Sequence, residues 1–140
     1  MKRYLSAVSA FVVLALAPMV LMAMGEEKAP LTVEGATTID AAKAKSLFDQ
    51  GALFVDVRPN KDWEAGRIPG ALHMELNTAL SEKALSTEIT KDEALVMYCN
   101  GVKCLRSSEA CTKAVSWGFG EVYYFRGGMP VWRAAGYPVE

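Results

Sequence analysis

The chain has 140 residues, 51% of them hydrophobic, with 15 basic and 16 acidic side chains. Without Lys2 and Arg3 the balance is 13 basic against 16 acidic, a net charge of −3. This size accommodates one ordinary domain, and the mild acidity excludes a nucleic-acid binder or a strong electrostatic hold on an anionic membrane.

Residues 1–25 read as a targeting segment. Met1-Lys2-Arg3 is basic, and Leu5 to Met24 is almost wholly apolar and carries no charge. Small residues near Ala23 and Gly25 allow a signal-peptide cleavage site, and Pro18 favours that reading. The same stretch is long enough to serve as an N-terminal membrane anchor. The protein is therefore expected to be exported and periplasmic, or anchored with its domain facing the periplasm. Membrane contact is expected only where the segment is uncleaved. Residues 26–36, with Pro30 and Gly35, read as a polar linker.

A domain is expected over residues 37–140. Thr37 or Thr38 can cap a helix over Asp40 to Gln50, with Ala41, Ala44, Leu47 and Phe48 on one face. Leu53 to Val57 is a continuous apolar run, the mark of a strand buried on both faces. Arg58-Pro59-Asn60 breaks it, and one helical turn follows over Asp62 to Ala65. Ala71 to Met74 reads as a short strand, Thr78 to Leu85 as a weak helix and Ala94 to Cys99 as a strand. Ser107 to Trp117 is helical, Glu121 to Phe125 a strand and Val131 to Ala134 a short helix. Alternating strands and helices predict an α/β fold with a parallel sheet covered on both faces. Sites in such sheets form beyond the carboxyl ends of the strands, where Cys99 falls.

The cysteines are Cys99, Cys104 and Cys111. An odd number in an exported chain leaves at least one thiol unpaired internally, and three so close together mark a local site rather than a framework. Cys99 ends a strand, and a loop of Asn100, Gly101, Val102, Lys103 and Cys104 leads to Arg106 and a helix. Backbone N–H groups and a helix N-terminus lower a thiol pKa and hold an anion beside the sulfur. The pattern predicts cysteine chemistry on an anionic substrate. Gly101 lets the loop turn sharply, and Lys103 and Arg106 are the nearby cations. Cys111 shares an apolar helix face with Ala114 and Val115, as a small core residue does. Met97, Cys99 and Cys104 are too few sulfurs to argue a soft-metal site, so neither metal nor cofactor is expected.

Two further motifs carry a family resemblance. One is Asp56-Val57-Arg58-Pro59 through Trp63-Glu64-Ala65-Gly66-Arg67-Ile68-Pro69-Gly70-Ala71. The other runs from Gly118-Phe119 through Phe125-Arg126-Gly127-Gly128-Met129-Pro130-Val131-Trp132 to Gly136-Tyr137-Pro138. Over Thr37 to Glu140 the chain resembles the rhodanese sulfurtransferase domain, with Arg67 in place of the usual histidine. The resemblance implies a three-layer domain with a five-stranded parallel sheet and helices on both faces. It maps the catalytic cysteine to Cys99 and the loop arginine to Arg106. It also implies transfer of a sulfane sulfur through a Cys99 persulfide, with backbone amides of Asn100 to Cys104 cradling the anion. The implied partners are a small sulfur-containing anion, such as thiosulfate, and a thiol or cyanide-like acceptor. A protein sulfur acceptor is a further option.

The loop departs from that pattern. Cys99 lies seven positions before Arg106, two farther than the family's spacing. A phosphatase or arsenate reductase-like activity is a minor alternative. Cys104 can pack the helix start, pair with Cys99 in a disulfide, or resolve a Cys99 persulfide and release sulfide. A non-enzymatic sulfur-carrier or thiol-redox binding module using Cys99 and Cys104 is thus the competing reading. Asp56, Arg58 and Arg67 are expected to be structural, locking loops at strand ends. His73, the one histidine, is expected on a far edge strand with a partner of its own. Trp63, Trp117 and Trp132 read as packing, and Arg126 falls at a strand end beside the loop.

Overall fold

Strand β4 (Leu95–Tyr98) is the centre of the architecture, and each of its four residues is fully buried. A computed structural model describes residues 27–140. The expected signal peptide or anchor over 1–25 lies outside the described residues. Among those residues no helix is long and apolar enough to cross a membrane.

The elements in chain order are β1 (Ala36–Thr38), α1 (Ala41–Asp49), β2 (Leu53–Asp56), α2 (Asn60–Glu64) and β3 (Leu72–His73). Then follow α3 (Glu82–Glu88), β4, α4 (Arg106–Ser116), β5 (Val122–Phe125) and α5 (Gly128–Ala134). The strands form one parallel sheet in the order β1-β5-β4-β2-β3. β4 pairs with β2 through Val55↔Met97 and with β5 through Met97↔Tyr124. The continuous apolar runs of β2 and β4 match their burial on both faces.

Alternate residues divide between two cores. Val55, Leu95, Met97 and Cys99 share one with Ala110, Cys111 and Ala114 of α4 and Leu85 of α3. Phe54, Val96, Tyr98 and Phe125 share the other with Ala44 and Leu47 of α1 and Trp132 of α5. Met97 is thus a core residue, and Trp132 is fully buried at the centre of an aromatic group with Phe48, Phe54 and Tyr137. Each such fully buried side chain contributes about 1.5–3 kcal/mol through removal of apolar surface from water.

Three expectations need correction. Thr37 and Thr38 do not cap α1: both lie in β1, paired with Tyr123 and Tyr124 of β5. The cap is Asp40, whose Oδ1 accepts from the Lys43 amide at 2.8 Å. The linker assigned to 26–36 is also partly structured. Ala29 and Val33 are buried, and Tyr124 Oη donates to the Pro30 carbonyl at 3.0 Å. The weak helix expected over Thr78 to Leu85 lies later, at Glu82–Glu88, because Ser81 caps it through the Ala84 amide.

Candidate active site

Cys99 follows β4 directly, and its burial leaves it only 1% exposed. The loop from Asn100 to Leu105 carries the chain into α4. The sheet thus presents Cys99 beyond a strand's carboxyl end, as expected of open parallel sheets.

Three sets of contacts fix the loop. On the α5 side, the Met129 amide donates to the Cys99 carbonyl at 3.0 Å. Gly128 makes this approach possible: its φ is +54°, and a Cβ there would collide with the same carbonyl. Gly101, at φ +109°, turns the loop beside Pro130. On the β2 side, Asn100 accepts from Arg58 Nη1 at 3.3 Å and donates to Asp62 Oδ2 at 3.1 Å. On the N-terminal side, the Ala29 amide donates to the Val102 carbonyl at 2.7 Å. Arg126 holds that segment in place through the carbonyls of Ala29 and Pro30, at 2.8 and 3.0 Å.

Cys99 and Cys104 form a disulfide, with their Cα atoms 6.3 Å apart. That separation lies within the range a disulfide spans. The Cys104 amide donates to the Gly101 carbonyl at 2.9 Å, which closes the turn carrying both sulfurs. This corrects one part of the expected cradle: the Cys104 N–H is engaged within the loop. Cys111 is the free cysteine, buried in α4 with its Sγ 4.0 Å from the Tyr123 carbonyl. Burial pushes its thiol up to about 12, so it stays protonated and unreactive.

Arg106 is ion-paired with Glu75, which ties the first residue of α4 to the segment after β3. Thr78 and Arg106 bond to the Glu75 carboxylate and lower its pKa to about 2. Lys103 and Val102 are exposed at the loop tip. A cavity of about 270 Å³ opens there, lined by Asn100, Gly101, Val102, Lys103, Pro130 and Val131 among others. A larger depression of about 580 Å³ is lined by Leu31, Thr38 and Lys43 and reaches the loop at Val102. The smaller one adjoins Cys99 through Asn100.

The first-signature residues flank this site. Asp56 and Arg58 are a buried pair, with Arg58 Nε 2.9 Å from Oδ1 and Nη2 2.6 Å from Oδ2 of Asp56. Arg58 Nη2 also donates to the Gly66 carbonyl at 2.8 Å. Arg67 lies away from the loop, paired with Glu140 at 3.1 Å and stacked over Trp63. His73 Nε2 lies 2.8 Å from the Arg58 carbonyl, and its ring stacks on Trp63 on the edge strand β3. Four contributors escaped the sequence reading: Asp62, Glu75, the Gly128–Met129 backbone and the Ala29 backbone. The charges of Asp62 and Glu75 were visible, but their partners Asn100 and Arg106 are distant in sequence.

Residues 40–135 match the family model of the rhodanese-like domain. The chain is 31% identical over 102 residues to the thiosulfate sulfurtransferase GlpE of Pseudomonas savastanoi pv. phaseolicola, covering 73% of this chain and 91% of that protein. It is 38% identical over 86 residues to the HTH-type transcriptional regulator Rv0324 of Mycobacterium tuberculosis. That match covers 61% of this chain and spans only 36% of the regulator's length. Among solved structures, the Alr3790 protein from Anabaena superposes with a TM-score of 0.63 at 28% identity, over 73% of this chain and 90% of the other. With the five-stranded parallel sheet, the loop beyond β4 and the match across most of its length, this chain belongs to the rhodanese-like domain family.

Proposed function

We propose that the protein is a sulfurtransferase that moves a sulfane sulfur from a donor such as thiosulfate to a thiophilic acceptor through a Cys99 persulfide. The observation that carries this is the position of Cys99, at the end of β4 in a loop clamped from both sides. The reading gains support from the GlpE relative, which is a thiosulfate sulfurtransferase. The Cys99 thiolate attacks the outer sulfur of thiosulfate, the sulfur–sulfur bond breaks, and sulfite leaves with the electron pair. An acceptor such as cyanide then attacks the outer sulfur of the persulfide, forms thiocyanate and restores the thiolate. This is covalent catalysis in two half-reactions. Loop amides from Asn100 to Lys103 and the α4 N-terminus stabilise the anionic persulfide. Lys103 supplies positive charge at the mouth, and Arg106 positions the start of α4 through Glu75. The basic and apolar pattern of residues 1–25 supports an exported, periplasmic setting.

After reduction and exposure to thiosulfate, mass spectrometry of the protein should find one added sulfur on Cys99, transient or stable. Absence of sulfur transfer to cyanide together with absence of any adduct overturns the reading. So does unchanged thiosulfate:cyanide activity in Cys99→Ser.

The Cys99–Cys104 disulfide favours a second reading, a thiol-redox or sulfur-carrier module without turnover of its own. Under that reading, fully reduced protein gives negligible turnover with thiosulfate and cyanide, while the cysteine pair still cycles between dithiol and disulfide.

A further inference from the structure

A persulfide on Cys99 has a second sulfur within reach. Cys104 is joined to Cys99 by a disulfide across a single turn, with 6.3 Å between Cα atoms. Both ends of that turn are held, Cys99 by the Met129 amide and Cys104 by its own amide on the Gly101 carbonyl. The loop backbone that makes Cys99 a nucleophile therefore also brings the Cys104 sulfur to bonding distance. The two sulfurs differ in access: Cys99 is 1% exposed, whereas Cys104 is only partly buried. Cys111 offers no alternative, being held in the α4 core against Tyr123.

We propose that Cys104 is a resolving cysteine, which makes the protein a dithiol-dependent reductase of sulfane sulfur that releases hydrosulfide. This rests on the Cys99 persulfide reading. The Cys104 thiolate attacks Cys99 Sγ. The bond between Cys99 Sγ and the outer sulfur breaks, and the outer sulfur leaves with the electron pair as hydrosulfide. The product is the Cys99–Cys104 disulfide. In this step Cys104 is oxidised and the outer sulfur is reduced to the sulfide level; counted from the dithiol, loading and resolution together take two electrons from Cys99 and Cys104.

Regeneration takes two electrons from a dithiol reductant. Its thiolate attacks the more accessible Cys104 sulfur, and the Cys99 thiolate leaves. The second thiol of the reductant then frees Cys104. Summed over both stages, thiosulfate and a dithiol give sulfite, hydrosulfide and a disulfide. The longer span from Cys99 to Arg106 acquires a purpose here, because it accommodates a second thiol on the same turn.

The test is a single turnover without external thiol. Full-length protein is reduced, desalted and treated with one equivalent of thiosulfate or of glutathione persulfide. Released sulfide and protein mass are then followed in wild type, Cys104→Ser and Cys104→Ala. Wild type should release one equivalent of sulfide and end two hydrogens lighter than the dithiol, as the Cys99–Cys104 disulfide. Both Cys104 variants should keep one added sulfur on Cys99 and release none. A persistent persulfide in wild type, or sulfide release from the variants at the wild-type rate, overturns the resolving role and leaves sulfur transfer intact. If neither wild type nor variants take up sulfur from either donor, while circular dichroism shows them folded, the Cys99 persulfide reading falls and this inference with it.

Discussion

Arg58 reaches Asn100 across 42 positions of sequence, its Nη1 3.3 Å from Oδ1 of the amide. The same guanidinium grips Asp56 at the end of β2, so the first signature and the cysteine loop form one unit. Asp56 is fully buried, and removing its partner leaves a carboxylate uncompensated. Arg58→Ala should destabilise the fold by about 3–5 kcal/mol. Asn100→Ala removes only an exposed link and should change stability by less than about 1 kcal/mol. It should nevertheless slow sulfur loading of Cys99, because the loop loses its tie to Arg58 and Asp62. Denaturant melts and single-turnover loading measure the two effects separately.

Gly128 leaves no space for a side chain against the Cys99 carbonyl. Gly128→Ala must shift either α5 or the cysteine, at a cost of about 1–3 kcal/mol for the overpacking. Sulfur loading should fall more than stability does, since the displaced atom belongs to Cys99, the residue proposed to carry the sulfur. Comparing the change in melting temperature with the loading rate checks this.

Thiol counting reads the cysteine arrangement directly. Oxidised protein should show no reactive thiol while folded, because Cys99 and Cys104 are paired and Cys111 is buried. Unfolded without reductant it should show one thiol, and after reduction three. A Cys111 that reacts in the folded state would contradict its burial and raised pKa.

Glu75 links the site to pH. Its carboxyl, hydrogen-bonded by Thr78 and paired with Arg106, titrates at about 2 instead of the ordinary 4.5. A depressed carboxyl pKa stabilises the fold above its unfolded pKa, and the contribution disappears as pH falls through the folded value. The Glu75 contribution is therefore complete above about pH 4.5 and is lost between there and about pH 2. Screening of this partly exposed pair keeps it on the order of 1 kcal/mol. Glu75→Gln should flatten the stability profile over that acid window, as measured by urea melts at successive pH values.

Much of this architecture was legible in the chain. The apolar runs at Leu53 and Leu95 fit strands buried on both faces, and the 3.6-residue spacing of Ala110, Cys111 and Ala114 identifies the buried side of α4. β1 was not legible, because Ala36-Thr37-Thr38 has no strand pattern of its own and becomes a strand by pairing with β5. A threonine before a helix also reads naturally as a cap, and the competing Asp40 took that place. The segment before β1 read as a linker for a similar reason: its order comes from Arg126 and Tyr124, nearly a hundred residues away.

The alternation of strands and helices, the family signatures and the cysteine at a strand end can all be read from the chain alone. Each is a local property, set by hydrophobic period, turn residues and side-chain chemistry. The strand order, the Arg58–Asn100 bridge, the Glu75–Arg106 pair and the joining of Cys104 to Cys99 arise from contacts between segments far apart in the chain or from how a loop is held. Spacing permitted that last pairing but did not require it. The pairing depends on how far the loop turns, and contacts from α5, β2 and the segment before β1 set that turn together.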